Sequence, residues 1–230
     1  EQVQAYKDDG CILVKGLVDP KFCEELRNEI DYVVNLANSQ GDDTNVLWQG
    51  NFTSPEERKK LKINGVHDTL FHSAAFTRLV MYDPMLDAVE QLIGPDIHLH
   101  HSKLFVKPPR QGGLFPMHQD YPYFPHQKHT MMAAIVHLTP ATLENGCVRV
   151  VPGSHKNGPI ECEPGTNYLP TADWPVEKAQ PCQAEIGDVL LFNYLTVHGS
   201  GPNVSNDPRY TVLVQMRAAD DEPTVVTHVS

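Results

Sequence analysis

His118 and Asp120 stand at i and i+2 in the stretch Phe115-Pro116-Met117-His118-Gln119-Asp120-Tyr121-Pro122-Tyr123-Phe124-Pro125. Side chains so spaced share one face of a β-strand, so an imidazole and a carboxylate would enter one cavity together. His198, far along the chain, offers a second imidazole. Two histidines and one carboxylate make a facial set of ligands that holds non-haem Fe(II) and leaves coordination positions open for a cosubstrate and oxygen.

The chain has twelve histidines, so this choice needs support. His98 and His100 also share a strand face, and His126, His129, His137 and His155 lie in the same half of the chain. A lone histidine is more often a packed or surface residue than a ligand, and an H-x-D triplet arises often by chance. The second half of the pattern adds specificity. Val189-Leu190-Leu191-Phe192-Asn193-Tyr194 reads as a buried strand, and Leu195-Thr196-Val197-His198-Gly199-Ser200-Gly201 places His198 at its end, before a glycine-rich turn. Arg209 opens the next apolar strand, where its planar fork suits a bound carboxylate. Alone, Arg209 reads as a surface residue paired with Asp207 or Asp188.

The elements that would position these groups fall into two halves. Cys11-Ile12-Leu13-Val14 reads as a short strand, followed by a helix with Asp19 as N-cap, Pro20 in the first turn and an apolar face of Phe22, Leu26, Ile30 and Val33. Ser54-Pro55 starts a charged surface helix or loop, and two further helices meet at Asp83-Pro84 and end at Gly94-Pro95. From Ile97 onward short strands separated by Gly and Pro turns take over: 97–107, 131–138, 147–151, 183–186, 189–194 and 210–217. This order predicts an α+β fold, a jelly-roll (double-stranded β-helix, cupin-like) barrel braced by N-terminal helices. One domain is expected over 1–230, with a mainly helical bracing region at 1–95 and the jelly-roll core at 96–218.

Four motifs in this order resemble the phytanoyl-CoA hydroxylase-like family of Fe(II)/2-oxoglutarate dioxygenases. They are Pro116-Met117-His118-Gln119-Asp120-x-x-Tyr123-Phe124-Pro125, Glu144-Asn145-Gly146-Cys147, Val151-Pro152-Gly153-Ser154-His155, and His198-Gly199-Ser200-Gly201-Pro202-Asn203 with Arg209. The resemblance implies His118, Asp120 and His198 as iron ligands, Arg209 as the grip on the distal carboxylate of 2-oxoglutarate, and Ser200 as its hydroxyl partner. Lys103 falls where the family often places a methionine against the cosubstrate. Ile135 falls where relatives have a cosubstrate-packing tryptophan, a departure that implies a differently shaped pocket. A further lysine of the family could be Lys62. Fe(II), 2-oxoglutarate and O2 are then the expected cofactors, with ascorbate as an accessory reductant. The expected reaction is hydroxylation of an aliphatic C–H, and Asp120 favours it over halogenation because related halogenases lack this carboxylate. The motifs with Gly146 and Gly153 read as scaffold turns, and His155 as a turn residue. Tyr121, Tyr123 and Phe124 read equally as entrance or packing.

Two other readings stay open: a catalytically silent jelly roll that binds metal, and an iron enzyme that needs no 2-oxoglutarate. The substrate class is a small molecule: an acyl-CoA, an amino acid, a phosphonate or a natural product. A coenzyme A thioester would need basic residues at the mouth. Lys103, Lys107, Arg110, Lys128 and Lys156 are near in sequence, although ordinary surface charge is the plainer reading of them. A net charge of −11 excludes a sequence-independent nucleic-acid binder, which must neutralise phosphate, and no apolar run is long enough to span a bilayer. Five widely spaced cysteines without a C-x-x-C pair exclude a disulfide framework and suit an intracellular, cytoplasmic setting. The chain begins at Glu1, so the termini read as trimmed and a targeting signal could have been lost with them. Oligomeric state is not legible.

Overall fold

Period-two alternation in the long strands sets the architecture. In Arg209–Ala218 the even residues Val212, Val214 and Met216 are apolar and buried, whereas the odd residues Arg209, Thr211, Leu213 and Gln215 are mixed in polarity and equally buried. Such a strand has an apolar core on one side and something other than plain core on the other. A computed structural model, describing residues 1–39, 45–46, 63–110 and 113–225, shows both sides.

The described elements are α1 (Gln2–Asp9), β1 (Cys11–Val14), α2 (Pro20–Asn28), α3 (Ile30–Ser39), β2 (Asn45–Val46), β3 (Ile63–His67), α4 (Ala74–Val80), α5 (Asp83–Ile93), β4 (Ile97–Lys107), β5 (Phe115–His118), β6 (Met132–His137), β7 (Val148–Val150), β8 (Gln180–Pro181), β9 (Val189–Asn193), β10 (His198–Ser200) and β11 (Arg209–Ala218). The strands form a seven-stranded sheet, ordered β1-β9-β6-β11-β4-β3-β2, and a four-stranded sheet, ordered β5-β10-β7-β8. Every pairing is antiparallel. This is the jelly-roll arrangement expected from the sequence.

Helices cover the outer face of the large sheet. Leu26, Val33, Phe76, Leu79, Met85 and Val89 are fully buried against Leu104, Met132, Val136, Leu191, Val212 and Val214. Each large side chain so buried contributes roughly 1.5–3 kcal/mol by leaving water. Asp19 caps α2 through a 2.7 Å bond from the Lys21 amide, as its sequence signal predicts. No helix among the described residues is long and apolar enough to cross a membrane.

Four local expectations change. The helix after Pro20 is broken at Glu29 into α2 and α3. α1 precedes β1 and ends on Gly10, whose φ of 73° is the left-handed conformation that closes a helix. Besides the strand expected at Cys11–Val14, the mainly helical first 95 residues also supply β2 and β3 to the large sheet. Residues 183–186 form no strand; Ala184 makes a single bridge to Ala141, and the neighbouring strand is β8. Lys62 and the stretch from Ser54 to Lys60 lie outside the described residues.

Candidate active site

His198 does not end the strand that begins at Val189. The chain leaves the large sheet after Asn193 and re-enters the small one as β10, so β9 and His198 belong to different sheets. Hydrogen bonds from distant residues fix the crossing. The Thr196 hydroxyl donates to the Gly10 carbonyl at 2.7 Å, the Val197 amide donates to Ser154 Oγ at 2.8 Å, and Gln119 Nε2 donates to the Leu195 carbonyl at 2.7 Å. Gln119 also bonds the Gly158 carbonyl and the Ile160 amide, which ties the His118–Asp120 segment to the same crossing. Ser154, read from sequence as a turn residue, thus holds the amide next to His198.

The crossing sets His198 directly opposite His118 in the β5–β10 pair, and their ring centroids are 4.2 Å apart. Each ring is oriented by the same local device. His118 Nδ1 lies 2.8 Å from the Pro116 carbonyl, and His198 Nδ1 lies 2.9 Å from the Thr196 carbonyl. A carbonyl can only accept, so each Nδ1 carries the proton and each Nε2 keeps its lone pair. Those two Nε2 atoms are 3.8 and 3.6 Å from Asp120 Oδ1. Asp120 is positioned by its own amide, which donates to the Tyr194 carbonyl at 2.8 Å, and by Gln215, whose Nε2 lies 3.4 Å from Oδ2. All three groups are buried. Burial pushes both imidazoles down to about 4, and it raises the Asp120 carboxyl above its ordinary range.

The donor set fits a divalent cation. One carboxylate oxygen and the two imidazole Nε2 atoms lie within 4.8 Å of one another, and among the described residues no other cluster of this kind exists. Gln215 occupies one carboxylate oxygen and leaves the other facing the imidazoles, a supporting contact of the sort that orients metal ligands.

These groups sit in a cavity of about 340 Å3 between the two sheets, walled by Phe105, Phe115, Ile135, Val148, Phe192 and Leu213. Arg209 and Ser200 line it as well, as do Lys103, Tyr123 and Phe124. Arg209 is only 6 % exposed, and it donates to the Gly146 carbonyl rather than pairing with Asp207 or Asp188. Lys103 is buried in the wall, its ammonium 4.8 Å from the Phe105 ring centroid, and burial lowers it to about 8. Tyr123 and Phe124 are wall residues, and Tyr121, together with Phe124, packs against Met131, Tyr194 and Leu195. His155 is a turn residue, with Nε2 3.2 Å from the Lys7 carbonyl.

The sequence profile of the phytanoyl-CoA dioxygenase (PhyH) family matches residues 6–211. The chain belongs to this family. It is 27 % identical over 233 residues to a probable alpha-ketoglutarate-dependent hypophosphite dioxygenase of Stutzerimonas stutzeri, covering 97 % of this chain and 80 % of that one. It is 28 % identical to human peroxisomal phytanoyl-CoA dioxygenase, covering 96 % and 68 %, and 26 % identical to an ectoine dioxygenase of Halomonas elongata, covering 90 % and 66 %. The chain therefore spans about two-thirds of the length of these last two relatives. Its fold is shared with the epimerase SnoN in complex with Fe3+, alpha-ketoglutarate and nogalamycin RO (TM-score 0.76, 22 % identity, 96 % and 84 % covered). It is shared equally with EctD from S. alaskensis with 2-oxoglutarate and 5-hydroxyectoine (TM-score 0.77, 22 % identity, 96 % and 77 % covered).

Within this PhyH-family cavity, sequence reasoning brought His118, Asp120, His198, Arg209, Ser200, Lys103 and Ile135 to one place, and the structure puts all seven on its walls. It missed Gln215, Thr211, His67, His101 and Lys107. Lys107, read as surface charge, is 1 % exposed and lines the cavity. The signal was available in the alternation: counting back by two from Lys103 reaches His101, and counting on by two from Arg209 reaches Thr211 and Gln215. By contrast Arg110, Lys128 and Lys156 are at the surface.

Proposed function

We propose that this protein is an Fe(II)- and 2-oxoglutarate-dependent dioxygenase that hydroxylates an aliphatic C–H of a small molecule, with release of succinate and CO2. The observation that carries the reading is the matched pair of histidines. They stand opposite each other on two strands, each with Nδ1–H held by a carbonyl and Nε2 turned toward Asp120. Membership of the PhyH family and the activity named for the Stutzerimonas stutzeri relative support it.

His118, His198 and Asp120 Oδ1 would hold the metal. Bound there, Fe(II) supplies open coordination positions for 2-oxoglutarate and O2 and carries the oxidation. The protein's own part is orientation and exclusion. The carbonyls of Pro116 and Thr196 keep both imidazoles in the ligating tautomer, and Gln215 keeps the carboxylate from turning. Arg209 and Ser200 offer donors to the distal carboxylate of the cosubstrate. Phe105, Phe115, Phe192 and Leu213 keep water from the reacting atoms. Ile135 lies on the row that joins Leu213 to Leu190, and it leaves space that a larger aromatic side chain would fill. The cavity volume is at the small end of the roughly 300–1,000 Å3 of ordinary ligand sites, which favours a compact substrate over a long acyl chain held wholly inside.

The test is turnover-coupled and uncoupled release of labelled CO2 from 2-oxoglutarate with Fe(II), screened against acyl-CoAs, amino acids and phosphonates. Anaerobic Fe(II) with 2-oxoglutarate should also give a weak visible charge-transfer band. Absence of both, in protein shown to bind Fe(II), would leave the silent or cosubstrate-free metal protein as the better reading.

A further inference from the structure

Three basic side chains meet on one wall of the cavity, at the end away from Arg209. His67 and Lys103 face each other as Cα partners where β3 meets β4. His101 stands two residues before Lys103 on β4, so the two share a face. The His67 and His101 rings have centroids 6.3 Å apart, and all three residues line the cavity. They run from mouth to interior, His67 exposed and His101 and Lys103 buried. Lys103 and His101 pair with Leu213 and Gln215 of β11. At about 3.4 Å per strand residue, those rows lie roughly 14–20 Å from Arg209.

The charges that line the cavity do not cancel once it is loaded. Burial lowers Lys103 to about 8 and Arg209 to about 10, so each keeps a positive charge at neutral pH. Lys107 is pushed well below its ordinary value by burial and adds none. Among the described residues Asp120 is the one acid in the lining. A divalent metal and a doubly charged 2-oxoglutarate cancel each other, and Asp120 cancels one base. One positive charge is left over between largely apolar walls, where an uncompensated charge is costly. Lys103 is the base most affected, because Asp120 supports its ammonium in the empty protein and a metal held by Asp120 would offset that support.

His67 and His101 complement the lysine without adding charge. Burial lowers both, His101 to about 3, so each is a neutral ring with one N–H to give. His101 Nδ1 lies 2.7 Å from His100 Nδ1, a contact that needs one N–H and one lone pair. With His100 as the donor, His101 carries its proton on Nε2, the tautomer that an anion in the cavity favours.

We propose that His67, His101 and Lys103 form the substrate subsite, and that the substrate carries a compact anionic group, carboxylate or phosphonate, which enters past His67 and seats against Lys103. The inference rests on the dioxygenase reading above, whose metal and cosubstrate occupy the rest of the cavity.

The probes are butanoate, propylphosphonate and the neutral butanamide, added to protein loaded with Mn(II) and 2-oxoglutarate. Mn(II) broadens the proton resonances of a ligand held near it, so ligand-observed NMR reports affinity and places the probe in the cavity. Wild type should bind at least one anion roughly ten-fold or more tighter than butanamide, the size of one hydrogen bond to a charged group. Either anion supports the inference, and the tighter of the two names the headgroup. Lys103→Met, which restores the residue the family often has at this position, should remove that preference and leave 2-oxoglutarate affinity within about three-fold. His67→Ala, at the exposed mouth, should weaken the anion and not the amide, and it gives the same decision should Lys103→Met not fold. Equal binding of anions and amide by wild type overturns the subsite, and so does an undiminished preference in the variants. Equal losses of anion and 2-oxoglutarate in Lys103→Met also overturn it, because the lysine would then serve the cosubstrate. Loaded wild type that binds no 2-oxoglutarate fails the dioxygenase reading itself, whereas bound 2-oxoglutarate without an anion preference fails this inference alone.

Discussion

Replacing Asp120 by alanine separates what the triad does for the fold from what it does for a metal. In the metal-free protein the carboxylate gains little. It is buried, its charged form is disfavoured by that burial, and its one side-chain hydrogen bond, from Gln215, is long at 3.4 Å. Removing it should leave the metal-free melting midpoint unchanged or raise it. Metal binding adds the opposite term. A ligand at about 100 times its dissociation constant stabilises the folded state by roughly 2.7 kcal/mol. For a chain of this size about 1 kcal/mol moves the midpoint by roughly 2–4 °C, so wild type should shift upward by about 5–11 °C. Loss of one of three ligands that weakens binding about 100-fold brings the same metal concentration down to the dissociation constant. The stabilisation then falls to about 0.4 kcal/mol, a shift of about 1–2 °C. The assay is thermal unfolding with Mn(II), and with Fe(II) under argon, for wild type and Asp120→Ala side by side. A full shift in the variant would remove Asp120 from the ligand set, and no shift in wild type would remove the metal.

Two further outcomes follow from the scaffold. Gly10→Ala places a Cβ 2.3 Å from His155 Nδ1 and 2.6 Å from Thr196 Oγ1, at φ 73°. Strain of at least about 1–2 kcal/mol should lower the melting midpoint by roughly 2–8 °C; a midpoint unchanged in differential scanning calorimetry would show that the crossing to β10 does not depend on this contact. Buried imidazoles outside the triad add to the acid limb of stability alongside His118 and His198. Burial pushes His137 down to about 4, and burial together with the neighbouring His100 pushes His101 down to about 3. Both lie below the unfolded value of about 6.5. The unfolded chain then binds more protons between those values, so stability is fully present above pH 6.5 and lost as pH falls toward 4. The contribution is on the order of 2 kcal/mol for each group at pH 5. Urea midpoints of the metal-free protein should be clearly lower at pH 5 than at pH 7, and equal midpoints would show that these rings ionise freely in the folded state.

Much of the fold was legible because its long strands carry their own signal. Ile97–Lys107 has the bounds read from sequence, and β6, β9 and β11 differ by a residue or so at their ends. What was not legible is what distant residues impose. The run from Val189 to His198 looks like one strand ending in a ligand, since nothing local in Tyr194-Leu195-Thr196-Val197 announces a change of sheet. The change is enforced by Gly10, Gln119 and Ser154, from three other parts of the chain. α1 gave no apolar periodicity because Tyr6 alone is buried in it. Lys107 was read by its residue type, which favours the surface, when the decisive fact is its register with Arg209.

The same register explains why the buried charges do not neutralise one another. Asp120 lies beside Gln215, while Arg209 and Lys107 lie at the other end of β11 and β4. Between them run Thr211 and Phe105, then Leu213 and Lys103, as successive cross-strand pairs. Asp120 acts on Lys103 of that middle row but is absent from the groups that act on Arg209 or Lys107. A fold selected for stability alone would gain by bringing the acid and the bases into contact, because an uncompensated buried charge is strongly destabilising. Here strand alternation holds them apart by the two intervening rows of wall residues. Burial disfavours the charged forms at both ends of the empty protein, so a cation beside Asp120 and a carboxylate beside Arg209 and Lys107 would each restore them. A 2-oxo dicarboxylate that chelates the cation with one end and reaches the bases with the other satisfies both at once, and that is the strongest physical argument for the cosubstrate.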